Sequence, residues 1–203
     1  MKVRYFLFCI AATVCMAVGS TSCTINIGDD EEESFLGQNP NNPHNPTPEN
    51  PGGFANGEYV EGRRGYYFNG AFYMPNGNDA TFVRLDNPEA TTFSIPESVT
   101  IMGKTYPVTS IAEQAFGGIQ KLTAVTLPAT IKTIGPIAFV GCENLKEVKC
   151  LATTPPVIDI PWEGASGFDW ELLENGKLYV PAASIDAYKA AKGWKEFKNI
   201  VSL

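Results

Sequence analysis

A chain of 203 residues, 44% hydrophobic and 18% charged, holds enough apolar material for one ordinary globular domain. Its formal net charge of −7 argues against the basic footprint with which a protein grips nucleic-acid phosphates. Five cysteines, three of them within the first 23 residues, are too few for a disulfide-built exported scaffold.

The first segment, residues 1–22, has the layout of a secretory signal peptide. Lys2 and Arg4 precede an uncharged, mostly apolar run from Tyr5 to Val18, followed by Gly19, Ser20, Thr21 and Ser22. The run is shorter than the roughly 20 residues a membrane-spanning helix needs. Cys23 then follows the small residues, and this arrangement resembles a bacterial lipoprotein processing site, although Ser20 stands where Leu is usual. The resemblance implies that Cys23 becomes an acylated N-terminus that anchors the chain in a membrane. Ordinary cleavage after Ser20 or Ser22, giving a secreted protein, is the alternative. Removal of Lys2 and Arg4 takes the net charge to −9.

Residues 23–56 read as an anchor cysteine and a disordered tether. Asn and Pro dominate from Asn39 to Pro51, and large apolar side chains are nearly absent, so the segment cannot bury enough surface to offset its ordering entropy. Its prolines favour extended conformations and a reach of about 3 Å per residue. The segment carries Asp29, Asp30, Glu31, Glu32, Glu33 and Glu49 and no Lys or Arg, which leaves −3 for the folded part. The block Asp29 to Glu33 is a solvated charge run. It also resembles the acidic surface-export signal of Bacteroidetes-type lipoproteins, placed somewhat later than usual. The sole histidine, His44, lies here as a filler residue.

Residues 57–92 read as an N-terminal cap. Gly65 to Leu85 alternates aromatic residues around Asn76-Gly77-Asn78, which predicts a β-hairpin. Most of its rings pack, but Tyr67 and Tyr73 are candidate ligand contacts if an aromatic patch is left open to a glycan or peptide.

Residues 93–203 carry an internal repeat. Ile111 to Val125 and Ile134 to Val148 match at an offset of 23: Ile111 on Ile134, Ala115 on Ala138, Phe116 on Phe139, Gly118 on Gly141, Leu122 on Leu145 and Val125 on Val148. Residues between the matches drift. A fixed period with a retained apolar skeleton marks a repeat architecture in which each turn buries its apolar face against the next. "FSIPESV", from Phe93, echoes "VTLPATI", from Val125, at an offset of 32, and the nine extra residues, Thr100 to Val108, read as an inserted hairpin around Gly103-Lys104. Within one turn, Leu122, Val125 and Leu127 point inward from a short strand ended by Pro128. Ile131 and Ile134 point inward from a second extended piece, and a loop buries Ala138, Phe139 and Cys142. Cys142 and Cys150 read as small buried hydrophobes.

The stretch "LTAVTLPATIKTIGPIAFVGCENLKEV" resembles the BspA-like, or Treponema pallidum type, leucine-rich repeat of bacterial surface proteins. Leu127-Pro128, Ile134-Gly135, Ala138-Phe139 and Gly141-Cys142 fill that pattern; the earlier copy departs from it at Ala112 and at Gly118-Ile119. The resemblance covers about residues 90–203. It implies an α/β solenoid, mostly β, formed as a short right-handed leucine-rich repeat coil with a β-hairpin N-terminal cap and a strand–helix C-terminal cap. For the C-terminal cap, Leu178 to Val180 predicts a strand broken by Pro181, Ser184 an N-cap, "IDAYKAAK" a short helix and Gly193 its end, after which Trp194, Phe197 and Ile200 pack back.

Thr153 to Gly176 is the least regular segment and, as a loop on a scaffold, the best place for an exposed site, with Trp162 and Trp170 as candidate contacts. Asp159, Glu163, Asp169 and Glu171 lie around these tryptophans, so a carboxylate-dependent glycan hydrolase is a remote alternative. The folded part has no histidine for a Ser-His-Asp or Cys-His system, no zinc-ligand spacing and no glycine-rich phosphate loop. The expectation is therefore a non-enzymatic cell-surface binding or adhesion module without cofactor, metal or catalytic residue. It meets a protein or glycan ligand, does not bind nucleic acid, and is anchored through lipidated Cys23 as a surface-exposed outer-membrane lipoprotein of the cell envelope. A structural subunit or spacer of an envelope assembly is the second reading.

Overall fold

The computed structural model describes residues 53–160 and 167–203. The signal-peptide and Cys23 readings, the tether as far as residue 52, and Trp162 and Glu163 lie outside these residues. Residues 53–56, expected as the end of a disordered tether, are instead packed: Phe54 lies against Tyr67 and Phe72, and Asn56 hydrogen-bonds Asn69. In chain order the elements are β1 (Tyr59–Val60), β2 (Gly65–Phe68), β3 (Ala71–Asn76), β4 (Asp79–Leu85), β5 (Thr92–Ser94), β6 (Ser98–Ile101), β7 (Lys104–Ile111), β8 (Ala124–Leu127), β9 (Thr133–Ile134), β10 (Glu147–Cys150), β11 (Val157–Ile158), α1 (Trp170–Asn175), β12 (Lys177–Val180), α2 (Ile185–Ala190) and β13 (Ile200–Ser202). The fold is mostly β.

Two sheets follow from the repeat. One runs β5-β8-β10-β12-β13 with every neighbouring pair parallel. The other runs β1-β2-β3-β4-β7-β9-β11; it is antiparallel as far as β4 and parallel from there on. The sequence offsets reappear as register: Val125 lies opposite Val148, Ile111 opposite Ile134, and Phe93 opposite Val125. The inserted residues form β6 paired with β7 around Met102-Gly103, a turn one residue earlier than expected, with φ of 50° and 79°. Both central residues of a type I′ turn need positive φ, and that selects this pair.

The core sits between the two sheets. Phe116 lies over Phe139 with ring centroids 4.7 Å apart and planes at 9°, and Phe139 lies over Phe168 at 5.0 Å and 16°. Phe82 of β4 continues the column on the other side at 4.8 Å. This spacing is the separation of neighbouring strands, so equivalent side chains fall into contact once the strands pair. Each of these rings, with Leu122, Val125, Leu127, Ile134, Ala138, Leu145 and Val148, is buried. Such burial contributes roughly 1.5–3 kcal/mol per side chain. Polar ties join the turns as well: the Cys142 thiol donates to the Phe116 carbonyl at 3.0 Å, and the Asn144 amide to the Gln120 carbonyl at 2.8 Å.

Two glycine positions of the pattern have a physical cause. A Cβ on Gly135 would stand 2.6 Å from the Glu113 nitrogen and 2.7 Å from the Ala112 carbonyl carbon, so the turns could not approach as they do. Gly141 and Gly118 have φ of 72° and 77° and meet across neighbouring turns, a Cβ on Gly141 falling 3.3 Å from the Gly118 Cα.

The region read as one hairpin is a meander. The expected turn is present at Gly77-Asn78, closed by the Asn76–Asp79 pair. A second tight turn, Asn69-Gly70 with φ of 47° and 84°, joins β2 to β3, and β4 pairs in parallel with β7. At the other end β12 and α2 lie where expected, but the helix stops at Ala190. Ser184 makes no side-chain cap hydrogen bond, because it closes a 3₁₀ turn (Ala182–Ser184) and its backbone is helical. Trp194 and Phe197 pack back as expected. The Trp194 indole donates to the Pro156 carbonyl at 2.7 Å, and the Tyr188 hydroxyl to the Ala152 carbonyl at 2.8 Å.

Candidate functional site

The parallel five-stranded sheet turns alternate residues to solvent in two rows. One row is Ser94, Thr126, Lys149, Tyr179, Val201, and the other begins Thr92, Ala124, Glu147, Lys177. The Lys149 ammonium stands 5.7 Å from the centre of the Tyr179 ring. The inward row is Phe93, Val125, Val148, Leu178, Ile200. Its three inner members are buried, while Phe93 and Ile200 at its ends are only partly covered.

The expected contact residues divide sharply. Trp170, the first residue of α1, is 71% exposed, and the Glu171 carboxylate beside it accepts from Asn175 at 2.9 Å. Tyr67 and Tyr73 are 3% and 1% exposed, so their place as ligand contacts is corrected. Alternation along β2 and β3 puts the two rings on opposite faces: Tyr73 turns into the core against Phe68 and Phe82, and Tyr67 lies with Phe72 on the other face, where Phe54 covers both. Burial raises the pKa of both hydroxyls and so makes them weaker acids.

The carboxylates serve different ends. Asp159 is exposed after β11. Asp169 precedes α1 without capping it through its side chain. Burial raises its pKa, against the backbone N–H groups of Cys142 and Gly141, which lower it, so its carboxyl ties α1 to the preceding turn. Asp86 is raised by burial too, opposed by Arg63 and Arg84, whose guanidinium nitrogens lie 3.3 and 3.9 Å from it. Cys142 and Cys150 are free, buried thiols; burial pushes Cys142 up to about 11. Among the described residues no three His, Cys, Asp or Glu side chains group to hold a metal ion.

Two features were not foreseen. On the second sheet Thr109 donates to Asp79 at 3.0 Å and Lys132 stands 3.8 Å from the same oxygen; no sequence signal joins residues 30 and 53 positions apart. Beside the outer edge of β5 there is a recess of about 320 Å³, lined by Phe68, Asn69, Tyr73, Phe93, Ser94 and Val99 among others, with no charged side chain.

A parallel sheet with one strand per turn, prolines that follow β5, β8 and β12 at Pro96, Pro128 and Pro181, and a stacked aromatic column are the marks of a repeat architecture. Residues 86–155 match the family model of the BspA type Leucine rich repeat region (6 copies), and this part of the chain is a leucine-rich repeat region of the BspA type. Among solved structures, a leucine-rich repeat protein from Bacteroides capillosus ATCC 29799 is similar at 27% identity with a TM-score of 0.50, over 68% of this chain and 96% of that one. A leucine rich cell surface protein from Faecalibacterium prausnitzii A2-165 is 20% identical, with a TM-score of 0.42, over 68% of this chain and 42% of that one. A leucine-rich repeat protein from Bacteroides ovatus ATCC 8483 is 18% identical, with a TM-score of 0.38, over 68% and 41%. No curated protein matches the chain.

Proposed function

We propose that this chain is a cell-surface binding module: a capped, right-handed repeat solenoid that presents α1 and the open sheet face to a protein or glycan partner, without catalysing a reaction. One observation carries the reading. The repeat's own aromatic residues are spent on the buried column, whereas Trp170 is held 71% exposed on a short helix between two strands of the scaffold. Exposing a large aromatic forgoes its burial energy, and Trp is the residue most enriched where binding energy concentrates. The leader pattern and Cys23 support export and lipid anchoring.

The test has two arms. Immobilised wild-type chain and its Trp170→Ala variant are offered outer membranes and a glycan array; a ligand held by the wild type and lost at least about tenfold by the variant supports the reading. Equal retention by both sinks Trp170 as the contact. Palmitate labelling and surface proteolysis of cells test the anchor: Cys23→Ala should lose both label and surface signal. An unlabelled wild-type protein free in the medium overturns lipidation.

A further inference from the structure

Among the described residues the five-stranded parallel sheet ends in β5 on one side and β13 on the other, each unpaired on its outer edge. The Ile95 amide donates to Thr126 and the Thr91 carbonyl accepts from Thr123 and Ala124, so odd-numbered residues of β5 face β8. Thr92 and Ser94 therefore aim their N–H and C=O groups away from the sheet, and Ser94 lines the recess. At the far end the Leu178 amide donates to the Asn199 carbonyl and the Leu203 amide to Val180, so Ile200 and Ser202 of β13 aim theirs outward. The two sheets are also staggered. The second sheet continues past β7 with β4, while among the described residues the first has no strand beside β5 at that level. The recess is that missing strand's place.

We propose that the occupant of this place is β13 of a second copy of the chain, which extends the parallel sheet from one molecule into the next. Three matches argue for it. All five strands run parallel, so a copy displaced along the stack presents β13 to β5 in the orientation the sheet already uses. The inward row ends in a partly covered Phe93 at one end and a partly covered Ile200 at the other, and the docked copy sets Ile200 on Phe93 as Leu178 is set on Val148. The recess lining carries no charged side chain, and neither does the segment Asn199 to Leu203 that enters it. Charge agrees on a larger scale. Residues 57–101 hold six carboxylates and three arginines, net −3, whereas residues 177–203 hold five lysines and two carboxylates, net +3. Opposite ends attract, and like ends repel. The contact is heterologous, so it generates an open series and not a closed dimer. It is independent of the binding reading above, since Trp170 lies on neither sheet edge.

Sedimentation velocity on the full chain, in excess non-ionic detergent to keep the N-terminal apolar segment out of play, tests this. Wild type from roughly 5 to roughly 500 µM, the range of a small interface, should give a concentration-dependent series that weakens with salt. Ser94→Pro removes an outward N–H from the recess edge, and Ser202→Pro removes one from β13; neither amide serves the existing ladder. Each variant alone should remain monomeric. Their equimolar mixture should form a single heterodimer, because one supplies an intact β13 and the other an intact recess. Ser94→Lys and Ser202→Lys repeat the mixture if a proline variant loses its circular dichroism spectrum. A wild type that stays monomeric throughout, single variants that associate as wild type does, or a folded mixture that stays monomeric overturns the proposal.

Discussion

Phe139 is the most demanding test of the stacked core. Its ring is fully buried and lies between Phe116 at 4.7 Å and Phe168 at 5.0 Å. Phe139→Ala removes the ring and leaves a cavity whose walls are two other buried rings, each held by the packing of its own turn, so the site has little room to collapse. Phe→Ala in a core costs about 3–5 kcal/mol, and each lost ring pair adds about 0.5–1.5 kcal/mol beyond area. The expected loss is therefore at the upper end, about 4–5 kcal/mol, against a total stability on the order of 5–15 kcal/mol. At roughly 2–4 °C per kcal/mol for a chain of this size, the melting temperature should fall by about 10–15 °C. Guanidinium titration followed by Trp fluorescence reads the change, since Trp194 is fully buried and becomes exposed on unfolding. Phe116→Ala and the double variant complete a cycle in which contacting rings should show a coupling above about 0.5 kcal/mol. A Phe139→Ala loss below about 1 kcal/mol at unchanged m, or strict additivity with Phe116→Ala, would refute the column as the source of stability.

Other outcomes follow from the same packing. Gly135→Ala forces a methyl into the backbone of Ala112 and Glu113 and should cost about 1–3 kcal/mol by denaturant titration, whereas Ala112→Gly should cost no more than about 1 kcal/mol. Tyr188→Phe leaves the Ala152 carbonyl without its side-chain donor and should cost about 1–3 kcal/mol by thermal melting. Cys142 and Cys150 should resist a thiol reagent at pH 8 in the native chain and react at once in denaturant, because burial raises both thiols. Asp169 is raised when folded, so its contribution is fully present below the ordinary carboxylate range and is lost as pH rises through the folded value. Wild type should accordingly gain stability over Asp169→Asn when pH is lowered from 7 to 4, as read by paired denaturant titrations; a gain on raising pH would contradict the assignment.

Much of the core was legible because it repeats. An offset of 23 in one dimension became the register of β8 on β10 and of β7 on β9 in three. Phe116 and Phe139 were visible as a pair, but Phe82 and Phe168 extend the column from segments that share no motif with the repeat, at sequence distances of 34 and 29. Position in the stack, not local pattern, puts them there. The departure at Ala112 has a similar cause. A side chain is tolerated on that turn, whereas one turn later a Cβ on Gly135 meets the backbone of Ala112 and Glu113. Local rules failed at Ser184, where a 3₁₀ turn displaced the expected cap, and at Tyr67 and Tyr73. Aromatic content predicted a patch there, but Tyr73 turns into the core and Phe54 covers Tyr67 on the opposite face.

The amino-acid order by itself determined the repeat, the inward face of each turn and the burial of both thiols. These depend on which residue follows which at short range, and on the cost of leaving apolar side chains in water. Only the tertiary structure decided which aromatics remain outside, where each sheet ends and that a strand's width stands open beside β5. Those properties depend on how many turns stack on each side and on what covers the last one, and no local stretch of sequence carries that count.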